Sequence, residues 1–254
     1  MNKPQLALQL YTLREQLAED FDGTLQRVAD VGYRHVETAF FPEGISIEQA
    51  KRALDGVGLS VCSAHVELPL GDEQSNVLAL AETFETDRII WHGWPRDDRY
   101  DTVDGIKRLV EQYNRANEIA VANGLKFGLH NHWWECEEVE GQRAYQIFLR
   151  ELDPRIFFEL DLYWATVAGL DGAALVREMG SRAPFLHVKD GPATRHDPMV
   201  AVGDGTLDFP AILGAAEGNA EWLVVELDEC ATNMLTAVER SYRYLVDEGF
   251  VRVG

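Results

Sequence analysis

The sequence lacks most of what marks a secreted, membrane-bound or nucleic-acid-binding protein. It has only three cysteines, Cys62, Cys136 and Cys230, widely spaced and odd in number. They form no CxxC pair and no disulfide framework, which fits a reducing compartment. Basic residues are few: 23 Lys and Arg stand against 43 Asp and Glu, a formal charge of −20. A surface of that sign repels phosphate backbones and anionic headgroups, so neither nucleic acid nor a membrane is expected as a partner. No apolar run is long enough to span a bilayer, and polar residues interrupt MNKPQLALQLYTLRE too often for a signal peptide. A cytoplasmic location is the expectation. Linkers and low-complexity tracts are also missing. No glycine-rich turn follows the first β-rich run, which argues against a dinucleotide-binding open sheet.

What is present is a chain of 254 residues with 46% hydrophobic and 26% charged side chains, enough to bury a sizeable core. Short β-rich runs alternate with longer helical patterns, the signature of a parallel α/β fold. The runs are LALQLY (6–11), HVETA (35–39), SVCSAH (60–65), RIIWH (88–92), KFGLH (126–130), IFFELD (156–161), FLHVK (185–189) and LVVEL (223–227). Between them, DGTLQRVADVG and TVDGIKRLVEQYNRANEIAVANG space their apolar residues near a 3.6 period. Gly32, Gly58 and Gly124 each follow a helical stretch and precede a strand, where glycine ends helices. VGDGTLDFPAIL reads as a glycine turn followed by a helix that Asp208 caps. Eight strands and a closing helix, TAVERSYRYLVDEG, predict a single (β/α)8 barrel domain over residues 1–254.

Every strand starts apolar and ends in a residue able to do chemistry: Gln9 and Tyr11, Glu37, His65, His92, His130, Asp161, His187 with Lys189, and Glu226 with Asp228. Active sites of such barrels lie at the C-terminal rim, where these ends gather. Strand side chains alternate between lumen and helices, so residues two apart share a side. Ser63 with His65, His130 with His132, Glu159 with Asp161, His187 with Lys189 and Glu226 with Asp228 therefore share parity in pairs. Asp161, His187 and Glu226 make a carboxylate–imidazole set suited to a divalent cation, which would offset the repulsion between the two acids. A fourth ligand is expected from FGLHNHWWEC, with His130, His132 and Glu135 as candidates and Glu135 the harder donor. Lys189 is placed to neutralise a developing oxyanion or to pair with Asp190. Glu37, His65, His130, His132 and Asp228 are candidate contacts for sugar hydroxyls, and the rim tryptophans Trp133, Trp134 and Trp164 suit the C–H faces of a sugar ring.

Taken together, GYRHVETA, SAHVEL, LHNHWWEC, FELDLYWATVAG, LHVKDG and VGDGTLDFPAIL resemble the xylose isomerase-like TIM-barrel superfamily, the sugar phosphate isomerase/epimerase group. The resemblance covers essentially the whole chain. It implies a divalent metal, Mn, Mg, Co or Zn, on Glu135, Asp161, His187 and Glu226. Many members carry a ligand Glu at the end of strand five, where this chain has His130, so its carboxylate would be Glu135. The superfamily also includes relatives of endonuclease IV, but seven scattered histidines and a charge of −20 do not equip this chain for DNA. The implied chemistry is proton transfer next to the carbonyl of a small keto-sugar or polyol, with Glu135 and Glu226 as the proton-transferring pair, giving an isomer or an epimer. A lyase or dehydratase acting on a keto-sugar, keto-glycoside or keto-inositol would need the same metal and base. A non-catalytic sugar-binding or partner subunit would need no carboxylate–metal centre. A homo-oligomer is compatible with the sequence.

Overall fold

Each apolar run forms a strand and each is followed by helical structure in the computed structural model, which describes residues 3–252. The barrel strands are β1 (Gln5–Gln9), β2 (His35–Thr38), β3 (Ser60–Val66), β4 (Arg88–Trp91), β5 (Lys126–His130), β6 (Phe157–Asp161), β7 (Phe185–Val188) and β8 (Trp222–Val225). All neighbours pair in parallel and in chain order. β8 closes the barrel onto β1, from Gln5 opposite Trp222 to Leu8 opposite Val225. A two-stranded hairpin, Glu138–Val139 with Gln142–Arg143, decorates the connection after β5.

Most of the helices start where a side chain can accept the free N–H groups of their first turn. Asp20 caps Phe21–Val31, Thr102 caps Val103–Ala122, Asp208 caps Phe209–Ala215 and Asn233 caps Met234–Asp247. Their apolar stripes pack against the outer faces of the strands in one continuous core. Among the described residues no helix is long and apolar enough to cross a membrane.

Several strands stop sooner than the sequence pattern predicted. Tyr11 lies in a 3-10 turn, and His92, Lys189, Glu226 and Asp228 sit just past the last ladder residues. The ladder ends where the chain turns outward to reach its helix, while the inward alternation of side chains continues for another residue or two.

Inside the barrel the lower lumen is filled by Ala7, Cys62, Ile90, Phe157, Phe185, Trp222 and Val224. Gly128 leaves room for this plug, since a Cβ there would lie 2.4 Å from the Phe157 ring. The register of β3 against β2 shifts between Val36 and Glu37. Cys62 joins the plug while the next residue, Ser63, bonds Glu37 in the layer above. The layer directly above the plug is polar.

Candidate active site and metal centre

The polar layer is a ladder of alternating acid and imidazole. Glu37, fully buried, accepts hydrogen bonds from Gln9 Nε2 at 2.7 Å and Ser63 Oγ at 2.5 Å. His65 Nε2 lies 3.1 Å from Glu37 and 2.5 Å from Glu159, and His187 Nε2 lies 2.8 Å from Glu37 and 3.1 Å from Glu159. Burial alone would drive both imidazoles neutral, but the flanking carboxylates outweigh it. They push His65 up to about 10 and hold His187 well above the usual histidine value. In return, His65 and His187 keep Glu37 ionised against its burial.

One step nearer the rim a second group converges. Ligand atoms of His130, Asp161, His187 and Glu226 lie within 4.8 Å of one another, and all four residues are buried. Asp161 is fixed on both sides: its Oδ1 accepts from Trp164 N at 2.8 Å, and its backbone N–H is bound by Asn131 Oδ1 at 2.8 Å. Its Oδ2 points to the Lys189 ammonium, 3.0 Å away. His187 Nδ1 lies 2.8 Å from Glu226 Oε2. His130 is held neutral by burial and by His187 beside it, and its Nδ1 has no hydrogen-bond partner. A neutral imidazole and a buried carboxylate oxygen are donors of the kind a borderline divalent ion takes. The residues fit such an ion.

A cation of the protein's own also reaches this place. Lys189 Nζ, on a side chain only 1% exposed, lies 2.6 Å from Glu226, 3.0 Å from Asp161 and 3.1 Å from Asp228. Burial disfavours its charge, yet the carboxylates hold it well above the usual lysine value. Lys189 and His187 keep Glu226 below the usual carboxylate range against its burial. Asp228 is pushed up to about 6, because burial outweighs its contact with Lys189. Above these groups opens a cavity of about 470 Å³, with His65, His130, His132, Lys189, Glu226 and Asp228 in its floor and walls.

The profile of the xylose isomerase-like TIM barrel matches residues 25–246, most of the chain and all the strands from β2 to β8. The chain belongs to this family. A sugar phosphate isomerase/epimerase from Parabacteroides distasonis superposes on 99% of this xylose isomerase-like barrel and 96% of its own length, with a TM-score of 0.80 at 26% identity. An uncharacterized protein of Mycobacterium leprae is 25% identical over 91% of this chain and 89% of its own. The zinc-bound IOLI protein shares the fold, with a TM-score of 0.72 at 16% identity over 96% and 97% of the two chains.

Within this xylose isomerase-like barrel, Asp161, His187 and Glu226 converge, but Glu135 does not join them. Its carboxylate turns behind β5, where Oε2 accepts from His132 N at 2.8 Å in a pocket lined by Tyr100, Tyr113 and Phe148. Burial pushes it up to about 8. A loop side chain follows the packing of its loop, and here the apolar pocket takes it; His130 stands in its place beside Asp161, His187 and Glu226. Two expected sugar contacts also sit elsewhere. Glu37 is consumed by the lumen ladder, and Trp134 is a buried support whose ring stacks on His132 at 4.1 Å, leaving Trp133 to line the cavity. Lys189 pairs with three carboxylates rather than with Asp190, whose side chain accepts from the backbone of Gly191, Gly203, Gly205 and Leu207. Glu159 is the residue the sequence reading passed over as a site member. The signal was there: an acid in the apolar run IFFELD, on the parity of Asp161.

Proposed function

We propose that the protein is a divalent-metal-dependent sugar isomerase or epimerase that moves a proton next to the carbonyl of a small keto-sugar or related polyol. The observation that carries this reading is the convergence of His130, Asp161, His187 and Glu226 beneath the rim cavity, which His130 and Glu226 line. These four would hold the ion, and the zinc in the IOLI protein and the sugar chemistry named for the Parabacteroides distasonis relative point the same way. When bound, a divalent ion supplies Lewis acidity to the substrate carbonyl, which makes the neighbouring C–H acidic.

The protein's own groups do the rest. Glu226 and Asp228 face the cavity from one strand end and are the carboxylates placed to take and return the proton. Lys189, between them, balances the negative charge that develops on the substrate oxygen. His65 and His132 line the cavity and supply ring nitrogens for hydroxyl groups. The closed barrel floor and the Trp133 and Trp164 walls limit the water that competes for the proton.

The test is solvent deuterium incorporation into a panel of ketoses by the Mn²⁺-loaded protein. Glu226→Gln should lower exchange by at least about 10²-fold, the usual worth of a positioned base. Metal content is measured in both proteins, because Glu226 is also a ligand in this reading. Turnover of a ketose with no exchange beside its carbonyl would refute the proton-transfer reading and leave the fold and ligand group intact.

A further inference from the structure

We propose that the cavity accepts an uncharged sugar ring bearing a flat apolar substituent, a glycoside rather than a sugar phosphate. This deepens the reading of the site as sugar-binding and rests on it. The argument begins with what is left uncovered. Among the described residues the exposed large hydrophobic side chains are Phe40, Trp94 and Val121. Two of the three, Phe40 at 70% and Trp94 at 55% exposure, belong to the lining of this cavity. Single exposed apolar residues are ordinary, but two exposed aromatic rings at one cavity mouth mark a surface that a ligand covers.

Both rings are propped. Phe40 follows β2 and meets the edge of Tyr11 at 5.6 Å, while Trp94 follows β4 and rests against Trp134 at 5.7 Å. Backing of this kind fixes each ring and leaves its outer side free for stacking at little entropic cost. The space is also too large for a bare sugar. A volume of about 470 Å³ is room for roughly fifteen waters at ~30 Å³ each, well beyond what one sugar ring displaces.

Charge decides against a phosphate. The lysine and the arginine of the lining are already taken: Lys189 by Asp161, Glu226 and Asp228, and Arg195 by Glu137. Asp197 and Glu229 add further acid to the wall. Away from the floor, where Lys189 and the proposed ion would sit, a phosphate would meet Asp197 and Glu229 with Arg195 already paired, on a protein of net charge −20. An aromatic or similarly flat aglycone would meet Phe40 and Trp94 instead.

Calorimetric titrations of the Mn²⁺-loaded protein test this directly. The ligands are the 4-nitrophenyl and methyl glycosides of glucose, galactose and xylose, together with glucose 6-phosphate. The 4-nitrophenyl glycoside of at least one sugar should bind at least about tenfold tighter than its methyl counterpart, the gain expected from aromatic stacking. It should also bind tighter than glucose 6-phosphate. In F40A/W94A that preference should shrink to within about twofold, and each single variant should show part of the loss. Because both rings are exposed, the variants should melt with the wild type, and the ratio of the two glycosides is internally controlled if one does not. The proposal is overturned by the absence of an aryl preference across the panel, by glucose 6-phosphate binding tightest, or by a preference that survives in F40A/W94A. It is equally overturned if sedimentation shows a dimer that F40A/W94A dissociates while the ligand ratio stays unchanged. The glycosides are locked as acetals at the anomeric carbon and present no carbonyl for turnover. An aryl preference with no deuterium exchange into ketoses would therefore sink the reaction alone, and exchange with no aryl preference would sink this inference alone.

Discussion

Replacing Lys189 with methionine should expose how much of the site is held together by one ammonium. The side chain is 1% exposed and its Nζ lies 2.6, 3.0 and 3.1 Å from Glu226, Asp161 and Asp228. Methionine keeps the length and apolar stem but leaves three neighbouring carboxylates without their common counter-charge. Removing one partner of a buried ion pair typically costs ~3–5 kcal/mol. Asp228, with a side chain 29% exposed, is partly screened by water and adds little beyond that range. For a chain of this size each kcal/mol moves the melting temperature by roughly 2–4 °C, so Lys189→Met should melt roughly 6–20 °C below the wild type in EDTA. A divalent cation then supplies the missing charge. Ligation at a thousandfold excess over Kd stabilises by about 4 kcal/mol, enough to recover most of the loss. The assay is circular-dichroism melting of both proteins in EDTA and in MnCl2. The reasoning fails if Lys189→Met melts with the wild type in EDTA, or if Mn²⁺ raises the wild type more than the variant.

Two further outcomes follow from the buried groups around the site. Glu135 titrates at about 8 when folded, above the ordinary carboxyl value of 4.5. Between those values the unfolded chain releases a proton that the folded chain retains, so this residue lowers stability as pH rises from 4.5 to 8. Glu135→Gln should therefore match the wild type below pH 4.5 and exceed it at pH 8 by a few kcal/mol, at ~1.36 kcal/mol per pH unit, in urea titrations. A difference that does not change between pH 4.5 and 8 would contradict this, and a lost Mn²⁺ thermal shift would return Glu135 to the ligands. Gly128→Ala should destabilise by ~1–3 kcal/mol, since its Cβ would press into the Phe157 ring; an unchanged urea midpoint would show that the lumen plug yields easily.

Much of this was legible in the sequence because strands have a period of two. Asp161, His187, Lys189, Glu226 and Asp228 sit on strand ends, where parity alone decides whether a side chain faces the lumen. Glycine placement and the Asp208 cap marked where helices end and begin. The loop after β5 was not legible, because no period governs it. Glu135 is directed by the His132 N–H and an apolar pocket, and the Trp134 ring by stacking on His132. Glu37 and Glu159 were hidden for a different reason. Their imidazole partners come from strands far away in sequence, so nothing near them shows that a buried charge there is matched.

Asn131 carries a consequence for motion. Its side chain accepts from Asp161 N–H at 2.8 Å and donates to Asp161 C=O at 3.3 Å, prolonging the β5–β6 ladder by one rung made of an amide side chain. That rung welds the start of the His132–Trp134 segment to the backbone of a candidate ligand. This side of the rim is thus a fixed jaw: it cannot swing out to admit a substrate without carrying Asp161 along and scattering the ligand group. The loops that carry Phe40 and Arg195 hold none of the candidate ligands, so any opening of the rim would fall to them. Turnover limited by product release would then respond to changes in those loops and stay indifferent to changes along the HNH segment.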